Sequence, residues 1–340
     1  MMTDPQDPVA QVRQELALWA SPGMKDVRDT ITEAALIDVT VLVTGETGTG
    51  KEIVARAIHY LSGRRSAPFV KVNCAAVARE LLESELFGHE PGAFVGAHQL
   101  KIGKIEAANG GTLFLDEIGD LDPALQAKLP SLLEDGQFCR VGGRSNIKVD
   151  VRIVAATNQD LESAVATGGF REDLFYRLNV IRIDVPPLRR RPEDIPLLAN
   201  YFIRRYSRLF EREGFTLPAE TIRRLMQHGF PGNVRELENM IKRMVVLRQP
   251  DLTGILPVAA IAGGDDESRA KRTRTAAGSL RAISRGAAQA AEQSAILKAL
   301  EQTHWNRLLA AKLLNISYRS LLYKIKGAGL DGKRKAPNPT

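Results

Sequence analysis

Gly45-Glu46-Thr47-Gly48-Thr49-Gly50-Lys51-Glu52 lies between a short β-branched run, Val39 to Val43, and a segment that places Ile53, Val54, Ala57, Ile58 and Leu61 on one helical face. Strand, Gly-rich turn and helix are the setting of a phosphate loop, G-x-x-x-x-G-K. Glycines let the backbone approach the phosphates with its N–H groups pointing inward. The following helix adds its positive N-terminal end. Lys51 supplies a point charge for the β and γ phosphates. The next residue is Glu52, where Ser or Thr usually holds Mg²⁺, so the metal is expected to lean on waters, on Thr49 or on carboxylates further along.

Working outward, Pro68 to Val72, Thr112 to Asp116 and Val151 to Ala155 are further strand candidates. Strands alternating with helices predict an α/β fold with a parallel sheet and crossover helices. Gly110-Gly-Thr-Leu-Phe-Leu-Asp116-Glu117 ends a strand in two carboxylates, at the sheet edge where a nucleotide would lie. Asp116 is expected to hold Mg²⁺, directly or through water, and Glu117 to polarise the attacking water. Alone, the pair reads equally as two solvated charges; the phosphate loop upstream favours the catalytic reading. Asn158, closing Val154-Ala-Ala-Thr-Asn158, is placed to sense the γ phosphate or is an ordinary turn residue. Arg171 and Arg177 are either fingers for a neighbouring subunit's nucleotide or a solvated helix face, and spacing does not separate these.

Pro186-Pro187 closes the α/β part, and Pro192 to Leu247 is helical throughout, which predicts a small all-α lid. The predicted organisation is a short tail (1–20), an ATPase α/β subdomain (21–188), the lid (189–252), a flexible linker (253–288), a helix-turn-helix (289–330) and a basic tail (331–340). In the helix-turn-helix, Asn306 and Ser317 cap the second and third helices. Ser317, Tyr318, Arg319, Ser320, Tyr323 and Lys324 lie on or near the face that would enter the major groove. The Arg319 fork suits guanine, and Lys324 suits phosphate. A plain three-helix bundle with solvated charges is the alternative.

The chain has 340 residues, 44% of them hydrophobic, which excludes a disordered protein. Its net charge of +7 is modest, but basic residues thicken toward the C-terminus, as nucleic-acid contact would favour. Cys74 and Cys139 have no metal-ligand spacing and read as free core thiols. No apolar run approaches the ~18 residues needed to span a bilayer, and Met1 to Val12 lacks a signal-peptide core, so a cytoplasmic location is expected.

GETGTGKE (45–52), VNCAA (72–76), ESELFGHEPGAF (83–94), GGTLFLDEIGDL (110–121), VRIVAATNQDL (151–161), FREDLFYRLNV (170–180), PPLRRRPEDIPLLA (186–199) and FPGNVRELEN (230–239) make the chain resemble a family. It is similar to the sigma-54-dependent transcription activators, or bacterial enhancer-binding proteins, of the AAA+ ATPase class. The similarity runs from about Ser21 to Leu330, ending in a segment that resembles a Fis-type domain, although His304-Trp305 stand where the family favours Gly. The resemblance implies ATP and Mg²⁺ as cofactors. It implies hydrolysis that remodels sigma-54 RNA polymerase for promoter opening, binding to enhancer-type double-stranded DNA, and a hexameric ring of the chain with itself. Asn73 would hold Glu117 from water until the γ phosphate is read. Arg171 and Arg177 would act in trans, Arg235 would be the lid sensor, and Glu52 is the family's habit.

Gly92-Ala93-Phe94-Val95-Gly96-Ala97 stands where the family carries its sigma-gripping loop, Gly-Ala-Phe-Thr-Gly-Ala. Val95 is nearly isosteric with Thr but has no hydroxyl. The alternative function is therefore a DNA-binding regulator that keeps the AAA+ fold without engaging sigma-54. A AAA+ remodeller with no promoter role is a third reading, against which the helix-turn-helix argues. Pro130 falls where the family has a helix, so a kink or early helix end is expected. Only residues 1–20 precede the ATPase segment, so control is expected either from a separate regulatory protein acting on the ring or from the chain's own abundance.

Overall fold

The computed structural model describes residues 7–76 and 79–250, together with Thr303, Arg307, Leu309, Ala310 and Leu321. The chain divides into two units, Met1–Ile261 and Ala262–Thr340. In the second, Ala310 and Leu321 are buried. The groove-facing candidates Ser317, Tyr318, Arg319, Ser320, Tyr323 and Lys324 lie outside the described residues.

In the first unit, helices α1 (Pro8–Leu16) and α2 (Pro22–Leu36) precede strand β1 (Val41–Thr44). Then come α3 (Lys51–Tyr60), β2 (Phe69–Asn73), α4 (Arg79–Phe87), α5 (Lys104–Ala107) and β3 (Thr112–Asp116). Helices α6 (Pro123–Gln126) and α7 (Leu129–Asp135) lead to a hairpin of β4 (Gln137–Phe138) and β5 (Ile147–Lys148). After β6 (Arg152–Thr157), α8 (Leu161–Ala166), α9 (Glu172–Leu178) and β7 (Ile181–Asp184) complete the α/β part. The lid holds α10 (Ile195–Leu209), α11 (Ala219–Met226) and α12 (Asn233–Leu247).

The main sheet runs β2-β3-β6-β1-β7, and every pairing is parallel. Its inner strands β1, β3 and β6 are buried on both faces because helices cover both. Leu113 and Leu115 of β3 enter one core with Leu86, Ile105 and Leu174, while Phe114 between them enters the other with Met24, Val54 and Ile58. The register sets Asn73 abreast of Asp116 and Thr44 abreast of Thr157, so the polar strand ends emerge on one edge. A third core, around Phe230, Leu237 and Ile241, belongs to the lid.

The expected break at Pro130 is present. The helix stops at Gln126 and restarts at Leu129, with Pro130 in the first turn of α7, where no N–H is needed. The expected tail over 1–20 is corrected: Asp7 caps α1 by accepting from Val9 N at 2.9 Å, and Val12 and Trp19 are buried in the sheet's second core. Its polar composition concealed a helix whose inward side holds only Val9, Val12 and Leu16, beside the buried Glu15. The thiols also differ from expectation, since Cys74 is buried but Cys139 is half-exposed, with Sγ donating to Asn146. Among the described residues, no helix is long and apolar enough to cross a membrane.

One buried ion pair joins the N-terminal segment to the lid root. The Asp194 carboxylate accepts from Ala20 N and Ser21 N, both at 2.7 Å, and lies 3.9 Å from Arg191. Arg191 donates in turn to Thr49 O at 2.6 Å, and burial pulls its pKa down to about 10. If residues 8–20 are structural rather than a tail, Trp19→Ala should cost ~3–5 kcal/mol in urea unfolding, as large-to-small core changes do. An unchanged unfolding midpoint would return the segment to a tail.

Candidate nucleotide-binding site

The loop after β1 turns on three glycines with positive φ, Gly45 (151°), Gly48 (81°) and Gly50 (105°). Gly48 also needs its missing side chain, because a Cβ there would lie 2.5 Å from Gly232 O in the lid. Lys51 opens α3 and is 6% exposed. Its Nζ donates to Gly45 O at 2.8 Å and lies 3.5 Å from Glu117 Oε1.

This loop floors a cleft of about 440 Å³ between the sheet edge and the lid. Its charged lining includes Lys51, Lys71, Asp116, Glu117 and Arg235. Leu18, Trp19, Ile53, Leu198, Tyr201 and Phe202 also line it, with Glu15, Arg56, Arg205 and Glu238 beside Tyr201. Cations beside a helix N-terminus suit phosphates, and aromatic rings suit a flat base.

Glu117 sits at φ 55°, a conformation that costs a side-chain-bearing residue strain and persists only when neighbours enforce it. Its Oε2 accepts from Asn158 N at 3.1 Å, and Asn158 Nδ2 donates to Thr47 Oγ1 at 2.8 Å. Asn158 thus joins the loop to the carboxylate. Asn73 Oδ1 accepts from Ala75 N at 2.9 Å, closing a local turn, while Lys51 and Asn158 hold Glu117.

Asp116 is 3.2 Å from Lys71 Nζ, which also meets Glu52 Oε2 at 2.6 Å. Burial works against the Lys71 charge, but the hydrogen bonds to Glu52 and Asp116 outweigh it and raise the pKa. Thr49 is buried, and its hydroxyl donates to Glu46 O at 2.8 Å. Glu46 belongs to the loop, but its side chain faces the lid instead of the cleft. Arg189 grips it with a fork at 2.6 and 2.8 Å, and Asn233 Nδ2 donates to it at 3.1 Å. The Arg189 hydrogen bond first, then Asn233, holds the Glu46 pKa down to about 2. A lowered carboxylate pKa means the grip is complete above the usual carboxylate range and is lost only as pH falls from there toward 2. Lys71, Arg189 and Asn233 were not singled out from sequence; the only signals were a Lys inside an apolar strand and an Asn in a tight Gly-Asn turn.

Arg235 reaches the cleft from α12. Arg171 and Arg177 do not line it. Arg171, exposed, and Arg177, half-buried, lie at α9, paired with Asp173 and Glu134, each at 2.7 Å. The loop 92–97 is a separate projection, closed by Gly92 N donating to Ala97 O at 2.7 Å, with Gly92 and Gly96 at positive φ. Ala97 is buried, Phe94 leans edge-on against His89 at 4.9 Å, and Val95 at the tip is fully exposed.

Residues 18–184 match the family model of the sigma-54 interaction domain, 189–271 that of the AAA+ ATPase lid domain, and 288–327 that of the bacterial regulatory protein, Fis family. The chain is 45% identical to the regulatory protein AtoC of Escherichia coli, over 92% of this chain and 68% of that protein. It is 47% identical to the Nif-specific regulatory protein of Azotobacter vinelandii, over 92% of this chain but only 59% of that one. A crystal structure of NtrX from Brucella abortus in complex with ATP superposes with a TM-score of 0.66 at 34% identity, covering 91% of this chain and 68% of that one. Hsp104 of S. cerevisiae, at 16% identity and a TM-score of 0.53, shares the fold alone. The chain therefore belongs to the sigma-54-dependent, enhancer-binding activators, a family of AAA+ ATPases that end in a Fis-type helix-turn-helix.

Proposed function

We propose that the chain binds Mg-ATP between the sheet edge and the lid, hydrolyses it, and uses the cycle to remodel sigma-54 RNA polymerase for promoter opening. The convergence of Lys51, Asp116, Glu117 and Arg235 on one cleft that Trp19, Tyr201 and Phe202 also line carries this reading. The ATP complex of the similar NtrX structure supports it. Lys51 binds the β and γ phosphates, Arg235 reads the nucleotide from the lid, and Glu117 takes the role of polarising the attacking water.

Among the described residues no cluster of three or more His, Cys, Asp or Glu is placed to hold a metal. The donors fit Mg²⁺ shared with phosphate oxygens: Asp116 would hold it, with Glu52 beside it, and it would neutralise phosphate charge. Arg171 and Arg177 are absent from the lining of their own cleft, which suits fingers acting in trans within a hexameric ring. Residues 289–330 would bind enhancer-type double-stranded DNA, in the cytoplasm where the polymerase works.

A second reading, a DNA-binding regulator that does not engage sigma-54, rests on Val95. The tip residue has no polar atom in its side chain and offers only methyl contacts, leaving Phe94 as the anchor. One missing hydrogen bond is worth ~0.5–1.5 kcal/mol, enough to weaken a transient grip up to about tenfold.

Glu117→Ala should still bind ATP but turn it over ~10²–10⁴-fold more slowly, as loss of a general base does; wild-type turnover would remove Glu117 from that role. Removing residues 289–340 should abolish specific DNA binding in a mobility-shift assay and leave ATPase activity largely intact. Full affinity in the shortened protein would sink the helix-turn-helix assignment. Transcription from a sigma-54 promoter with purified components separates the two readings. Val95→Thr should strengthen sigma-54 binding in the transition-state nucleotide complex and raise promoter opening. No opening by either form, with ATPase and DNA binding intact, would favour the second reading.

A further inference from the structure

A backbone loop binds anions only if its peptide N–H groups are turned to one side. In a trans peptide the C=O of one residue and the N–H of the next point in opposite directions. Fixing a carbonyl on the outer side of the loop therefore aims the following N–H inward.

Three carbonyls of this loop are fixed by the lid and its root, while those of Gly45 and Glu46 are held within the loop and by Lys51. Asn233 Nδ2 donates to Thr47 O at 3.1 Å, Val234 N donates to Gly48 O at 2.9 Å, and Arg191 donates to Thr49 O at 2.6 Å. The first and third of these orient the N–H groups of Gly48 and Gly50. Asn233 is fully buried at φ 54°, and its Oδ1 accepts from Leu188 N at 2.8 Å. A strained, buried amide with its donor and acceptor both engaged has one orientation available to it. Glu46 completes the arrangement by bonding Asn233 and the Arg189 fork together. The Arg189 pair is nearly half exposed, so its charge attraction alone is weak; its consequence is to hold Glu46, and with it Asn233, in register.

We propose that Glu46 is a positioning residue: through Arg189 and Asn233 it clasps the lid to the phosphate loop and sets the inward N–H groups before a nucleotide arrives. The idea rests on the nucleotide reading of the cleft. It assigns Glu46 no contact with the nucleotide.

The test uses the full chain, with Glu46→Gln, Arg189→Gln and the double variant, and N-methylanthraniloyl-ADP with Mg²⁺ as the fluorescent probe. Circular dichroism verifies folding, and Arg189→Lys, which keeps the charge without the fork, serves as a milder second variant. Each single change should raise the probe's Kd, by about tenfold for Glu46→Gln, the scale of one charge-assisted hydrogen bond. Arg189→Gln should add nothing in the Glu46→Gln background. Hydrogen exchange at Val234 N–H should quicken in both single variants without nucleotide, an effect that a direct nucleotide ligand would not produce. If Glu46→Gln weakens binding while Arg189→Gln leaves both Kd and Val234 exchange at wild-type values, Glu46 is a ligand and the clasp is wrong. If the wild-type chain fails to bind the probe, the nucleotide reading falls. The exchange of Val234 then judges the clasp alone, with faster exchange supporting it and unchanged exchange overturning it.

Discussion

Backbone amides make a phosphate site only when the chain around them is prevented from relaxing, and in this protein part of that restraint comes from outside the loop. Gly48 approaches Gly232 so closely that a single Cβ would collide with its carbonyl. Arg191 is buried against Thr49, Asn233 against Thr47, and Val234 completes the row at Gly48. The loop, the lid and the segment joining them are therefore one mechanical object. A change in lid angle has to be felt at the loop, because the hydrogen bonds that would be stretched are the ones that orient it.

The same restraint extends to the N-terminal segment. Asp194 accepts from Ala20 N and Ser21 N and faces Arg191, so the residues leading to Trp19 are tied to the lid root. Trp19 and Leu18 can then line the cleft together with Leu198, Tyr201 and Phe202 of the lid. By contrast, the loop 92–97 touches none of these groups; it is braced by His89 and leaves Val95 free at the tip.

Chemistry carried by short, contiguous patterns was legible in the sequence. The glycines and Lys51, the strand ending in Asp116 and Glu117, the lid helices and the break at Pro130 all follow from local spacing and backbone preference. What was not legible depends on which side of a loop a residue faces. Glu46 and Thr49 sit inside the phosphate-loop motif, yet one side chain turns to the lid and the other is buried. Asn73 turns to its own N–H neighbourhood and not to Glu117. The Glu46–Asn233 contact joins residues 187 positions apart, and nothing in local composition marks either as the other's partner. Helix α1 was missed for a different reason, since Val9, Val12 and Leu16, on a polar helix of nine residues, make only a short and weak periodic signal.

The central claim is that the cleft floored by Lys51 and walled by Trp19 takes a nucleotide. Trp19 and Trp305 are the chain's two tryptophans. In a Trp305→Phe chain, tryptophan emission therefore reports on the cleft alone. Titration with Mg-ATP should change that emission saturably, and the change should vanish when Lys51→Ala is added. Emission that ignores Mg-ATP, or that responds equally without Lys51, would contradict the account.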